Sequence, residues 1–180
     1  MKRIITVFII AVIAIVLTPA IHSASEQTSI TIENKEIPYE LPHPGLLPDH
    51  PLYFFKTLRD SILIVTTRDN YKKAELYRHL SDKRITSALR LSEKGKDDLA
   101  LISALKAEEL FLEIPPLLQM AKKQDGEDIE DLISKLHLSN AKHRAVIAEM
   151  IENTTQTEIN VVESLLMKNE EGKKALGTLQ

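Results

Sequence analysis

From Pro51 to the C-terminus apolar residues recur at every third or fourth position, and no strand-like alternation competes with that period over a comparable length. The chain is thereby confined to helices. Five glycines among 180 residues are too few for a turn-rich all-β fold. Cysteine is absent, which excludes disulfides, a thiolate nucleophile, a zinc-thiolate site and a lipid-modified cysteine, so packing alone must hold the domain together. With 43% apolar and 27% charged residues, the length suits one domain with a real core. The expected fold is all-α: an antiparallel bundle, or a set of helical hairpins, of four to five helices joined by short turns.

The first helix is expected over Pro51 to about Thr66, with Leu52, Phe55, Leu58, Ile62 and Val65 as its stripe. The β-branched run ILIVTT lowers its helix propensity and leaves a strand as the alternative. Tyr53, Phe54 and Phe55 are read as core aromatics of this helix, with an exposed recognition edge as the alternative. Asp69 is placed to cap a second helix carrying Tyr77, Leu80, Arg84 or Ile85, Ala88 and Leu91, and Lys94-Gly95 to end it. A third begins near Lys96-Asp97-Asp98, carries Ala100, Ala104, Ala107, Phe111 and Leu118, and must kink or break into a short extra helix at Pro115-Pro116. The fourth, after Gln124-Asp125-Gly126, carries Ile129, Leu132, Ile133, Leu136, Asn140, His143, Ile147 and Met150. The fifth, after Asn153-Thr154-Thr155, carries Ile159, Val162, Leu165, Leu166 and Leu176.

Ahead of the helices stand a basic pair, Lys2 and Arg3, an apolar run from Ile4 to Leu17, then Pro19 and small residues. This is the layout of a secretory signal peptide. Residues 1–24 are expected to be a signal peptide cleaved after Ala20, Ala24 or Ser25, or else a retained signal anchor, since Ile4 to Ile21 nearly reaches the length of a membrane span. In either case the remainder is expected on the exported side of the cytoplasmic membrane, whether secreted, periplasmic or extracytoplasmic. Removing residues 1–24 takes away Lys2 and Arg3 and no acid, leaving 21 basic against 26 acidic residues and a net charge of −5. Such a chain has no general attraction for nucleic acid or for an anionic membrane surface.

Residues 25–48 read as a linker ending in an extended proline-rich lead-in, where Pro42 and Pro44 disfavour helix at the residues before them and Gly45 allows a turn. This lead-in is expected to strap across the helices through Leu41, Leu46 and Leu47. The helical domain then occupies residues 49–180, with Pro51 at the first helical position and Asp49 or His50 as its cap.

The parts of a familiar enzyme are missing. There is no Gly-rich phosphate loop, no Gly-x-Ser-x-Gly and no His-Glu-x-x-His, and Glu-x-x-His occurs once, from Glu40 to His43 across Pro42, where no helix can present both side chains. No catalytic residue, cofactor or metal site is assigned, and the chain is expected not to be an enzyme. Asn140 and His143, polar residues on an apolar stripe, are read as a hydrogen-bonded pair that fixes helix register, the alternative being a buried ligand or proton-switch position. Glu75 and His79, four residues apart, are read as a solvated surface pair, the alternative being two metal ligands. Glu108-Glu109 beside Lys106 is a possible cation collector of the same weak kind, whereas Glu127, Asp128, Glu130 and Asp131 are explained as an acidic first turn. Lys72, Lys73, Arg78, Lys83, Arg84 and Arg90, interspersed with Glu75, Asp82 and Glu93, read as a salt-bridged solvated face.

The stretch LPDHPLYFFKTLRD, followed by YKKAELYRHLSDKRITSALRLSEKGKDDLALISALKAEELF, resembles the exported bacterial family designated domain of unknown function 5667. The resemblance rests on Pro-Leu-Tyr opening a helix with Lys-x-x-Arg (Lys56 to Arg59), an Asp-Lys-Arg stretch (Asp82 to Arg84) and a Lys-Ala-Glu stretch (Lys106 to Glu108). It covers about residues 38–120, which makes 49–120 the family-like part of the helical domain and leaves residues 121–180 outside as a C-terminal helical hairpin. His50 stands where a small hydroxyl residue often sits. The resemblance implies an exported helical domain and supplies no activity.

The expected role is a non-catalytic structural or interaction module of the cell envelope, meeting another envelope protein through its helix faces. No nucleic-acid partner is expected, and a membrane only if the N-terminal segment is retained. The alternative is a ligand- or metal-responsive envelope sensor using Glu75, His79, Asn140 and His143.

Overall fold

A computed structural model of the chain describes residues 37–124, 128–151 and 159–179. The signal or anchor segment, the first part of the linker and the turns near Gly126 and Thr154 lie outside the described residues. The described residues form helices without strands: α1 Tyr53–Thr66, α2 Asn70–Ser92, α3 Asp97–Leu112, α4 Ile114–Gln124, α5 Glu130–Ile151 and α6 Ile159–Gly177.

Local chemistry sets these boundaries. The Asp69 carboxylate accepts a hydrogen bond from the Lys72 amide at 2.8 Å and so caps α2. Gly95, at φ 66°, closes the turn into α3. The prolines at 115 and 116 fall in the first turn of α4, where a missing amide costs nothing, and the chain breaks at Glu113. The extra helix α4 is thus the product of the anticipated break. At α1 the start differs from expectation: the helix begins at Tyr53 with Leu52 as its N-cap and no side-chain cap, and Pro51 lies in the turn before it. His50 Nδ1 accepts from the Leu52 amide at 3.1 Å, while Asp49 pairs with Lys96 and Lys94 at 2.8 and 3.3 Å and ties the lead-in to the α2–α3 turn.

The core has two apolar clusters. One gathers Ile85, Leu91, Ala104, Ile147 and Leu165, and the other Ala74, Phe111, Leu118, Leu136 and Leu176. Along α2 and α5 the sequence passes from the second cluster to the first, and along α3 and α6 from the first to the second. The four long helices therefore alternate in direction, as an antiparallel bundle does. The alanines of α3 are all fully buried, and α3 packs on both α2 and α6. The anticipated stripes of α3 and α5 are buried, and so is that of α2 apart from the half-buried Tyr77, with Ile85 rather than Arg84 in the core; on α6 Val162, Leu165 and Leu176 are buried, Leu166 is half-buried, and Ile159, at the helix start, is exposed and leaves the stripe.

The lead-in is a strap. Leu41 and Leu47 pack on the first cluster, Pro44 is buried, and Lys56 Nζ donates to the carbonyl oxygens of Pro44 and Leu46 at 2.7 and 3.1 Å. The Leu46 side chain itself faces solvent and is not one of its contacts. Lys56 of the Lys-x-x-Arg stretch therefore has a structural task, holding the strap's carbonyls.

The core stripe proposed for α1 is reversed. Leu52, Phe55, Leu58, Ile62 and Val65 are all exposed, as is Phe54, and the buried residue of this helix is Asp60. The helix meets the bundle through Tyr53, which accepts a hydrogen bond from Arg84 at 3.0 Å, while buried Asp60 pairs within α1 with Arg59 at 2.7 Å.

Candidate functional site

Between the two apolar clusters lies a polar layer to which each long helix contributes. Asp82 comes from α2, Glu108 from α3, Ser139, Asn140 and His143 from α5, and Asn169 from α6, all buried. Asp82 and Glu108 belong to the Asp-Lys-Arg and Lys-Ala-Glu stretches singled out in the sequence. They converge on one imidazole. His143 Nδ1 lies 2.8 Å from Glu108 Oε1, and Nε2 lies 3.1 Å from Asp82 Oδ1.

With a carboxylate at each ring nitrogen, both nitrogens act as donors and the ring is an imidazolium. Burial alone would push its pKa down, but the hydrogen bonds and charges of Asp82 and Glu108 outweigh it and lift the value to about 9. Asp82 is the hub. Burial would raise its carboxyl, yet the bonds from His143, Ser139 and Tyr39 and the charge of His143 hold it below the usual carboxylate range. Its Oδ1 accepts from Ser139 and His143, and its Oδ2 from the Tyr39 hydroxyl at 2.6 Å and from Arg78 at 3.1 Å. Burial, together with the hydrogen bond and charge of Asp82, pushes the Tyr39 hydroxyl up to about 12 against the opposing pull of Arg78, so it stays a donor. Arg78 and His143 match Asp82 and Glu108 in charge, and the cluster is neutral as a whole.

Asn140 and Asn169 tie α5 to α6 reciprocally, each side-chain amide donating to the other's backbone carbonyl, at 2.9 and 3.1 Å. Asn169 also reaches Glu108 Oε2 at 3.3 Å. Gly172 sits beside this layer because a Cβ there would meet Phe111 Cδ1 at 3.0 Å. The arrangement fixes the register of the helices.

The sequence candidates separate. His143 and Asn140 join the layer, although His143 bonds to Asp82 and Glu108 rather than to Asn140. Glu75 and His79 lie on α2 outside it, and partial burial with the charges of Lys83 and Arg78 keeps His79 below its ordinary range despite Asp82 and Asp60. No group of three His, Cys, Asp or Glu side chains able to hold a metal ion is found among the described residues. Asp82 and Arg78 leave the solvated basic face to which they were assigned, because burial of Asp82 demands its partners. Glu108 likewise belongs to the interior and not to a cation-collecting surface. Asp131 pairs with Lys135 at 2.6 Å, and Asp128 accepts from the Glu130 amide.

The second unusual feature is on the outside. Phe54 and Phe55 are each 64% exposed and Val65 is 78% exposed, and at 100° per residue these three, with Leu58 and Ile62, fall within an arc of about 100°. Burying a side chain of this kind stabilises by roughly 1.5–3 kcal/mol. A helix that turns five of them to water and its single acid inward has an outer face shaped for something other than its own core.

Among the described residues no helix is long and apolar enough to cross a membrane. No curated protein and no solved structure matches the chain. The family model named Domain of unknown function (DUF5667) matches residues 45–172, farther toward the C-terminus than the motifs alone extend. Within the matched stretch α5 supplies His143, which bonds to both Asp82 and Glu108, and α6 supplies Asn169, which reaches Glu108. With well over half of its length inside that match, the chain belongs to the family of domain of unknown function 5667.

Proposed function

We propose that the chain is an exported α-helical module of the cell envelope that acts by surface contact through the outer face of α1 and carries no catalytic site. The observation that carries this reading is the solvent-facing apolar stripe of α1. Export is supported by the signal-like order of Lys2, Arg3, the apolar run and the small residues after Pro19. The polar layer argues for a scaffold, since its ionisable groups face one another. A sensor using His143 is disfavoured, because both ring nitrogens already donate to carboxylates and a metal would have to displace one.

The test is made in the native host. A photo-crosslinking residue placed at position 54 or 62 should give adducts with envelope material, while one at Lys173, an exposed position on α6, should not. Equal or absent adducts at all three positions, or recovery of the protein in the cytoplasmic fraction, would overturn the reading.

A further inference from the structure

The outer face of α1 is more than apolar. Asp60 is the single acid between Pro51 and Arg68, and at 5% exposure it is turned away from solvent. Beside Phe55 opens a cleft of about 300 Å³ whose lining includes Lys56, Arg59 and Lys83 and no carboxylate. Burial depresses the basicity of Lys56 to about 8, opposed by the charge of Asp60 and assisted by those of Arg84, Lys83 and Arg59.

The hydroxyls of the helix add a third fact. Thr57 donates to the carbonyl of Phe54, Ser61 to that of Thr57, Thr66 to that of Ile62 and Thr67 to that of Leu63, at 2.7 to 2.9 Å. Each returns its proton to its own helix, so these hydroxyls leave no donor outward that needs an outside acceptor. A specific protein interface makes about one directed hydrogen bond per 100–200 Å², whereas hydrocarbon tolerates only polar groups satisfied within the helix.

Resting on the surface-contact reading above, we propose that this face seats on a bilayer surface containing anionic phospholipid. Phe54, Phe55, Leu58, Ile62 and Val65 would enter the boundary between headgroups and acyl chains, with lipid phosphate at the cleft formed by Arg59 and Lys83. Such a helix lies in the interface plane, apolar side down and basic residues at its edge. A second copy of the chain fits less well. A two-fold contact centred on α1 would bring Arg59 against its own mate, with Asp60, already paired to Arg59 in each copy, as the single acid of α1. The overall negative charge of the domain is no obstacle, since attraction to a lipid surface decays within about 10 Å and is set by the charges nearest to it.

The absence of cysteine makes the test direct. Full-length Ile62→Cys, carrying a polarity-sensitive fluorophore, is mixed with vesicles of phosphatidylcholine alone or with about one third phosphatidylglycerol, and the same label at Lys173→Cys, an exposed position on α6, serves as the control. The proposal expects the label at position 62 to enter an apolar, lipid-quenchable environment with anionic vesicles, and the label at 173 to stay in water. Lys83→Gln should raise the half-saturating anionic lipid concentration about fivefold at unchanged melting temperature, and Arg59→Gln should weaken lipid binding likewise while lowering the melting temperature, because it leaves buried Asp60 without its partner. A label at 62 that remains in water, that responds equally to both vesicle types, or that self-quenches without lipid as a dimer would make it, overturns the proposal. If the vesicles fail while crosslinks from positions 54 and 62 to a protein succeed in cells, the lipid assignment falls and the surface-contact reading stands.

Discussion

Raising the pH should unpick the polar layer through His143. The folded state lifts its pKa from 6.5 to about 9, so folding and protonation favour each other. The resulting stability is fully present below the ordinary value and is lost as pH rises through the folded one. At about 1.36 kcal/mol per pH unit, the whole effect is roughly 3 kcal/mol, of which about 2 is gone by pH 8 and nearly all by pH 10. That is a large part of the 5–15 kcal/mol typical of a domain.

Lys56 acts in the opposite sense. Its folded value is depressed to about 8, so between there and its ordinary range stability rises with pH, by an amount that solvent screening of its half-exposed side chain reduces. The two are separated by a difference measurement. Urea midpoints and slopes are recorded from pH 6 to pH 10 for the wild type and for His143→Gln, which keeps Lys56. The wild-type advantage should shrink by roughly 3 kcal/mol across that range, and the imidazole proton resonances of His143 should titrate near pH 9 in the native protein. An advantage that does not vary with pH, or a native titration near 6.5, would refute the charged-imidazolium account.

Gly172→Ala should cost about 1–3 kcal/mol in chemical denaturation because its Cβ presses on Phe111, whereas Gly177→Ala, with nothing within 4 Å, should be near neutral; equal effects would discount the contact. Tyr39→Phe removes a donor to Asp82 and should cost about 1 kcal/mol while speeding protease cleavage between Leu41 and Pro48; unchanged cleavage would mean the strap is held without it. As pH falls the lowered carboxyl of Asp82 makes the layer acid-sensitive, since stability is present above the ordinary carboxylate range and lost on protonation; Asp82→Asn should flatten the acid limb of the stability profile. Zinc or nickel should leave the melting temperature unchanged, and a rise that saturates with metal would reinstate the sensor reading.

The helices were legible because their signals are local: an Asp69 cap, a Gly95 stop, a double proline and alanines at helical spacing. His143 and Asn140 were visible as polar intrusions on an apolar stripe. Their partners were harder to see, although a sign was there. Asp82 stands three residues before Ile85, and Glu108 four after Ala104 and three before Phe111, each in step with its core stripe. Residues of this type are exposed so commonly that charge outweighs register when one helix is read alone. Which acid meets which cation is a tertiary fact, joining residues 35 and 61 positions apart. The α1 stripe misled for the converse reason: periodicity reports that a helix has an apolar face, not what that face meets.

The order in which the cluster's members occur along the chain has a kinetic consequence. Both carboxylates precede the imidazole, Asp82 by 61 residues and Glu108 by 35. A chain emerging N-terminus first, from a ribosome or through a membrane pore, exposes the two acids long before the cation that neutralises the second of them. Until α5 is out, closing α2 and α3 around Glu108 would bury an unanswered charge, so the half-emerged chain is held open and the bundle closes late, as one event.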